Sequence, residues 1–261
     1  MKKSNKAKIV LSLTGFLVIL AWKSVHTESC LVLAFPITII IIISMSVIEF
    51  SAKKKECLAQ FYFIESSLLY RLYNSKKILF IKSLLLSVLL GTSLMIAVVS
   101  WDIKIIKILF FDVFILYWIY AKTLNILAGS IKKMMKYVIA KDISVSINTF
   151  LLIVSILIVE IYSPIPIYVD ISLKTTLISS YNVFSSECTV INFLLKLNAE
   201  KDAFSWWAML NVDSHINDKN LKILAWITFL LSNSLAAYAY SRYMIQLIDL
   251  FRLFGDENEQ Q

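Results

Sequence analysis

The stretch SCLVLAFPITIIIIISMSVI, Ser29–Ile48, decides the fold class of this chain. It contains 20 residues and no charged side chain. The hydrocarbon core of a bilayer is about 30 Å thick and an α-helix rises about 1.5 Å per residue, so about 20 apolar residues cross it. This stretch therefore predicts a transmembrane helix, and the chain contains other stretches of the same kind.

The overall composition also indicates a membrane protein. Of the 261 residues 59% are hydrophobic and 17% are charged, with a mean hydropathy of +0.75, whereas soluble domains are about 45–50% apolar and about 25% charged. Four glycines and three prolines exclude collagen-like and low-complexity chains and argue against a glycine-rich phosphate loop. We predict an all-α, polytopic transmembrane helix bundle that forms one integral membrane domain, 1–261.

Runs between charged residues predict six spans. They are about 9–22, 29–48, 83–101, 108–131, 143–159 and 223–241. The first has 14 residues between Lys8 and Lys23, and it reaches across the bilayer if these lysines snorkel. It also imitates a secretory signal, but no small-x-small cleavage site precedes Lys23, which favours a retained helix over a cleaved one. A signal anchor and a span remain alternatives for this segment.

The basic residues orient the spans. If both termini are cytoplasmic, 18 of the 26 Lys and Arg residues lie on the cytoplasmic side, as the positive-inside rule requires. The lysines then lie at helix ends beside an anionic leaflet, so a pI of about 9.2 does not imply a nucleic-acid partner. We expect a multi-pass protein of the bacterial inner (plasma) membrane, with both termini cytoplasmic, the lipid bilayer as a partner and no direct contact with nucleic acid.

The cytoplasmic loop 51–77 is predicted to form an amphipathic helix along the membrane interface. Its apolar residues recur at spacings of three and four; they are Leu58, Phe61, Ile64, Leu68 and Leu72. Basic residues here and in the next cytoplasmic connection are candidate contacts for a partner or for lipid; they are Lys53, Lys54, Lys55, Arg71, Lys132 and Lys133. A membrane-surface elbow and a docking site for a cytoplasmic protein both fit this pattern.

The outer loop 163–221 has 59 residues, too few for a confident free-standing core. We expect short helices that rest on the membrane or cap the bundle, with a ligand-sensing or partner-binding surface as the alternative. The spacing i, i+3, i+4, i+7 predicts a packed stripe; it consists of Val190, Phe193, Leu194 and Leu197. Cys30 and Cys188 both fall outside, so a disulfide between them is one expectation, although pairing does not follow from sequence. Cys57 is expected to be a cytoplasmic thiol.

The sequence contains few residues that could form a reactive site. The two histidines lie in different outer loops, and the chain has no HExxH, CxxC, GxSxG or phosphate-loop motif. We therefore expect no catalytic site, no cofactor and no metal. Asp112 and Glu160 are ionisable residues at shallow membrane depth on the outer side, where charge is costly. They are expected either to reach interfacial water or to line an outer vestibule.

Small residues mark two helix-packing stripes. Ser83, Ser87 and Gly91 repeat every four residues in the third span, and Asn233, Ala237 and Ser241 do so in the sixth. Such stripes let helices approach closely. Intramolecular packing and a homo-oligomer both fit them. After the sixth span, the segment 242–261 is expected to leave the membrane as an amphipathic helix.

Three functions fit these features in decreasing order. The first is a non-enzymatic inner-membrane subunit of a multi-protein system, acting as scaffold, sensor or pore-forming partner for a separately encoded cytoplasmic protein, as in phage (antiviral) defence or toxin–immunity systems. The second is the permease subunit of a small transporter such as an ABC exporter, an analogy from architecture alone. The third, a membrane enzyme, lacks the residues that would support it.

Overall fold

The computed structural model describes residues 2–62, 75–131, 133–170, 172–181, 186–215 and 234–250. These residues form helices and no strands, which confirms the all-α prediction for this part of the chain. The helices are α1 (Lys2–Val25), a short 3₁₀ helix (Cys30–Leu33), α2 (Ala34–Tyr62), α3 (Lys76–Ser100), α4 (Ile103–Leu127), α5 (Lys133–Ile161), α6 (Leu173–Tyr181) and α7 (Thr189–His215). Helix α8 covers 234–250, where the described residues resume.

Four helical segments of the described chain are long and apolar enough to cross a membrane. They are Ala7–Val25, Cys30–Lys53, Lys76–Ser100 and Met135–Ile161, and they overlap the first, second, third and fifth predicted spans. Helix α4 has 25 residues but is not among the four. Most of the sixth predicted span lies outside the described residues. The fourth and sixth spans therefore stay predictions.

The outer surfaces of these helices are apolar. Large side chains are more than half exposed on several of them, including Leu17, Leu85 and Phe150 at 60%, 67% and 66%. Soluble monomers rarely expose a contiguous apolar surface of this kind, because it would remain in contact with water. The exposure pattern therefore fits helices whose outer faces contact lipid.

Helices α2 and α3 pack against each other through the first small-residue stripe. Ser83 and Ser87 are buried, at 2% and 0% exposure, and Gly91 faces Ile40 on α2. A Cβ atom at Gly91 would overlap Cγ1 of Ile40 and lie 3.4 Å from its Cα. The stripe is therefore occupied within the chain, and a homo-oligomer would need another surface.

Residues 239–249 of helix α8 are buried, and α1, α2, α4 and α5 supply contacts to this helix. The Tyr243 hydroxyl donates to the Gly15 carbonyl of α1 at 3.2 Å, and the Tyr240 hydroxyl donates to the Leu109 carbonyl of α4 at 2.6 Å. The sequence predicts that a tail begins at Arg242 and leaves the membrane. In the structure 242–249 continue α8 among the other helices, with Arg242 and Asp249 only 4% and 2% exposed, and the point at which this helix leaves the membrane stays a prediction. The charges of these two residues are retained inside because other helices supply partners for them.

Helices α6 and α7 pack together beside the C-terminal end of α3 and the N-terminal end of α4. Helix α7 has 27 residues, so the expectation of short helices holds only for α6, with nine. A disulfide joins Cys188, at the start of α7, to Cys30. Next to it the Glu187 backbone N–H donates to the Thr27 carbonyl at 3.3 Å. These contacts hold the start of α7 against the connection between α1 and α2.

The predicted packing stripe of α7 faces outward instead. Val190, Phe193 and Leu197 are 55%, 61% and 46% exposed. The buried face is shifted by one residue and consists of Ile191, Leu195, Ala199 and Ala203, each at most 2% exposed. Helix α7 has apolar residues on two faces. Ile191, Leu195 and Ala199 follow Cys188 by three, seven and eleven residues, so they lie on the same face as the disulfide, and this is the face that packs on the bundle.

The first part of the predicted interfacial helix is a direct continuation of α2. Helix α2 runs without a break through 51–62. Of the rest of that prediction, 63–74 lie outside the described residues, and Lys76 and Lys77 begin α3. At 29 residues α2 is about 43 Å long, and this exceeds the hydrocarbon thickness of about 30 Å. Helix α2 is therefore long enough to project past the membrane at its C-terminal end.

Candidate functional site

Lys141 on α5 lies at the centre of a buried polar cluster. Its side chain is 3% exposed, and its Nζ forms ion pairs with Glu49 of α2 and with Asp249 of α8, the latter at 2.9 Å. It also donates to Oε1 of Gln246 on α8 at 3.3 Å. One ammonium group thus connects three helices.

The Tyr120 hydroxyl adds a fourth helix to this cluster. Tyr120 on α4 is 3% exposed and donates to Oδ1 of Asp249 at 2.8 Å. Buried ion pairs recover the cost of desolvation only when further hydrogen bonds satisfy the charged atoms. We name Glu49, Tyr120, Lys141, Gln246 and Asp249 the Lys141 cluster. It ties α2, α4, α5 and α8 together in one arrangement.

Arg242 of α8 forms a second ionic contact beside the cluster. It pairs with Asp142 of α5, and its Nε donates to the Tyr238 hydroxyl at 2.8 Å. The guanidinium carbon lies 5.3 Å from the Phe50 ring and 5.2 Å from the Tyr238 ring, within cation–π range. A planar guanidinium suits this site because it can pair at its edge and stack on its faces.

Asn148 joins three helices one level further along α5. Its Nδ2 donates to Oδ2 of Asp112 on α4 at 2.9 Å and to Oγ of Ser241 on α8 at 3.0 Å. Asn148 follows Lys141 by seven residues, which is about 10 Å along a helix. Helix α8 therefore makes polar contacts at two heights in the bundle.

A cavity of about 240 Å³ opens where α7 approaches α3, α4 and α5, at the end of the bundle that the sequence assigns to the outer side. We name it the outer cavity; its charged and aromatic lining includes Asp102, Glu160, Tyr168, Lys201, Asp202 and Trp206. Glu160 thus lines a cavity, whereas Asp112 is not part of this lining. The structure does not bring together the two carboxylates that the sequence assigns to one vestibule.

Electrostatics in the outer cavity are dominated by desolvation. Lys201 pairs with Asp202 at 3.1 Å, and Asn198 Nδ2 donates to Asp202 at 2.9 Å. Burial nevertheless raises the pKa of the Asp202 carboxyl, with Lys201 and Asn198 acting in the opposite direction. Burial also raises the pKa of the Tyr168 phenol, and the nearby Asp202 and Glu160 add to that shift.

The other predicted site residues lie on α8, on α2 or outside the described residues. Ala237 and Ser241 are fully buried in the bundle, while Asn233 lies outside the described residues. Lys53 and Lys55 lie on the C-terminal part of α2, and Lys55 Nζ donates to the Ser75 carbonyl at 3.1 Å. Arg71, Lys132 and the side chains of Lys54 and Lys133 lie outside the described residues.

Sequence reasoning missed the Lys141 cluster because it counted Glu49, Lys141 and Asp249 as cytoplasmic charges. A signal for it was present. Arg242, Gln246 and Asp249 follow one another at i, i+4 and i+7, which is a polar stripe on one face of an otherwise apolar helix. Such a stripe predicts polar partners on neighbouring helices, although it does not say which ones.

Within the described residues no group of three or more His, Cys, Asp or Glu side chains could hold a metal ion. The chain matches no protein-family model, no curated protein and no solved structure.

Proposed function

We propose that the chain is a non-enzymatic integral subunit of the bacterial inner membrane that acts as scaffold or sensor for a separately encoded cytoplasmic protein. The observation that carries this proposal is the length of α2, which exceeds the membrane thickness. Lys53, Lys54 and Lys55 lie near the C-terminal end of this helix. Glu49, one turn earlier, pairs with Lys141. A protein bound to this end of α2 would therefore act directly on the bundle core.

The proposed topology has six spans and places both termini in the cytoplasm. The distribution of basic residues supports it through the positive-inside rule. The Cys30–Cys188 disulfide supports it as well, because disulfides persist in oxidising compartments such as the periplasm. Phage-defence and toxin–immunity pairs are systems of this general design.

Co-purification tests the proposal. A tagged chain extracted in mild detergent is expected to elute with one separately encoded cytoplasmic protein in a fixed ratio. Replacing Lys53, Lys54 and Lys55 together by Glu should remove that protein, and replacing them by Arg should retain it. The matched control is Lys104→Glu with Lys107→Glu, two exposed lysines on α4 at the opposite end of the bundle. A chain that elutes alone in several detergents contradicts the proposal.

A second candidate is the permease subunit of a small transporter such as an ABC exporter. The outer cavity favours it, since a cavity with paired charges at the outer end of a bundle suits an exit or entry path. The test is ATP hydrolysis by the complex with a co-purifying ATPase. Stimulation by a transported compound supports the permease, and an ATPase-free complex excludes it.

A further inference from the structure

A groove of about 300 Å³ separates α7 from α3 and from the start of α8. Its apolar walls are formed by Ile96 of α3, Leu194 and Leu197 of α7 and Leu235 of α8, and one end carries Asn198 and Lys201. The groove is distinct from the outer cavity in its apolar walls, although Lys201 borders both.

Ile96 of α3 shows where along the bundle axis this groove lies. Ile96 lies four residues before Ser100, the end of the apolar segment Lys76–Ser100, which corresponds to about 6 Å along the helix. Below it, Leu85 and Leu89 of α3 are 67% and 51% exposed. The groove therefore opens beside the last turn of an apolar segment that is long enough to cross a membrane, and it continues into the exposed apolar surface of α3.

Part of the exposed face of α7 borders the same opening, at Leu197. Phe193 and Leu197 are 61% and 46% exposed, and exposed apolar side chains at membrane depth are covered by lipid at the least cost. Lys201 is 37% exposed, and among the described residues its ammonium pairs with one carboxylate oxygen, Oδ1 of Asp202, at 3.1 Å. An ammonium group has three N–H donors, so this contact leaves donors for an anionic oxygen.

We propose that the groove binds a phospholipid of the outer leaflet. One acyl chain lies against Ile96, Leu197 and Leu235, and the phosphate accepts hydrogen bonds from Lys201. Apolar walls that end in a basic side chain match the order of groups in a phospholipid, from chain to headgroup. This site is independent of the cytoplasmic partner, so it can be tested on the purified chain alone.

Site-directed spin labelling tests the chain-binding part. In a Cys57→Ser background and in nanodiscs of phosphatidylethanolamine and phosphatidylglycerol, a nitroxide at Leu197→Cys should be accessible to oxygen and shielded from a water-soluble nickel reagent. A nitroxide at Lys196→Cys, on the adjacent exposed polar position, is the control and should be accessible to nickel. Nickel access at 197 overturns the proposal, since the groove would hold water. Shielding from both reagents also overturns it, since a second protein or a second copy would cover the groove.

Native mass spectrometry tests the headgroup part. The chain released from the same nanodiscs should retain a phospholipid, and Lys201→Ala should reduce the bound fraction about tenfold, the usual effect of one charge-assisted hydrogen bond. Lys201→Arg should retain the lipid, and Lys196→Ala, which removes an exposed lysine outside the groove lining, should change nothing. Equal retention by Lys201→Ala and the unmodified chain, or no retention by the unmodified chain, overturns the proposal. Neither result depends on whether a cytoplasmic protein binds.

Discussion

At the scale of single residues, Lys141 shows how a buried charge is kept inside the bundle. Its ammonium pairs with carboxylates from two other helices while it is 3% exposed. Desolvating three charged groups costs several kcal/mol for each, and only good pairing offsets that cost. Such a cluster specifies which helices meet, because an alternative packing would leave buried charges without their partners.

Replacement of this lysine gives the first prediction. Lys141→Met is expected to lower the free energy of unfolding by about 3–5 kcal/mol, since removing one partner leaves buried charge uncompensated. Unfolding of the purified chain by titration with sodium dodecyl sulfate measures the change. Adding Glu49→Gln should recover part of the loss, because it removes one of the carboxylates that Lys141 balances.

The control for Lys141→Met is Lys122→Met on α4. Lys122 is exposed, and its Nζ lies 5.0 Å from the centre of the Trp118 ring. Losing this contact should cost about 0.5–1 kcal/mol. If both variants lose the same stability, the Lys141 cluster does not hold the helices together.

Asp202 gives a prediction about pH. Burial raises the pKa of its carboxyl in the folded protein, so the folded state holds the proton more tightly than the unfolded state. Stability should therefore fall as the pH rises from about 4, the usual Asp value, through the raised pKa. Asp202→Asn cannot ionise and should flatten this part of the stability curve.

Melting temperature measured against pH tests this expectation. Glu187→Gln, an exposed carboxyl at the start of the same outer region, is the control and should leave the curve unchanged. A curve for Asp202→Asn that still falls as steeply as that of the unmodified chain would show that another group is responsible.

At the scale of helices, close packing depends on where small residues lie. Gly91 allows α3 to approach Ile40 of α2, and α7 takes its register from the disulfide at Cys188. The periodicity of α7 was compatible with two faces, since apolar residues occur on both. Sequence therefore identified the helix-forming residues, whereas a covalent bond to another part of the chain selected the buried face.

Gly91→Ala tests the packing of α2 on α3. The added methyl group overlaps Ile40 and is expected to lower the free energy of unfolding by about 1–3 kcal/mol, the usual cost of overpacking. In a chain that already carries Ile40→Ala, Gly91→Ala should lower the free energy of unfolding by less than it does in the unmodified chain. Gly129→Ala is the matched control, because nothing lies within 4 Å of the position of its new Cβ. Equal stability of Gly91→Ala and Gly129→Ala would contradict this packing.

At the scale of the whole molecule, the proposed orientation in the membrane rests on the disulfide and on the basic residues. Before reduction the denatured chain should react with one maleimide, at Cys57, and after reduction with three, because Cys30 and Cys188 are joined. Mass spectrometry counts the additions. Two or more additions before reduction would exclude the disulfide.

The same chemistry tests the proposed orientation. In sealed spheroplasts a membrane-impermeant maleimide should label Cys30, which is exposed, only after reduction from outside. Cys57 should remain unlabelled until the membrane is permeabilised. Labelling of Cys57 in sealed spheroplasts would place the cytoplasmic end of α2 on the other side and remove the basis of the proposed partner.

Sequence by itself determined that this chain is helical and apolar enough for a membrane. A charge-free run of about 20 residues predicts a helix, because backbone N–H and C=O groups in lipid must find their hydrogen-bond partners within the same helix. The runs at 29–48 and 83–101 therefore predicted helices that the structure contains, with bounds that differ by a few residues.

Only the tertiary structure decided what the polar residues do. Hydrophobic periodicity tells which face of a helix a side chain occupies, but not which helix lies opposite. Lys141, Arg242 and Asp249 look like cytoplasmic charges in the sequence, and they are buried because partners far away in the chain satisfy them. Pairing over such separations depends on how the helices pack, which no local pattern specifies.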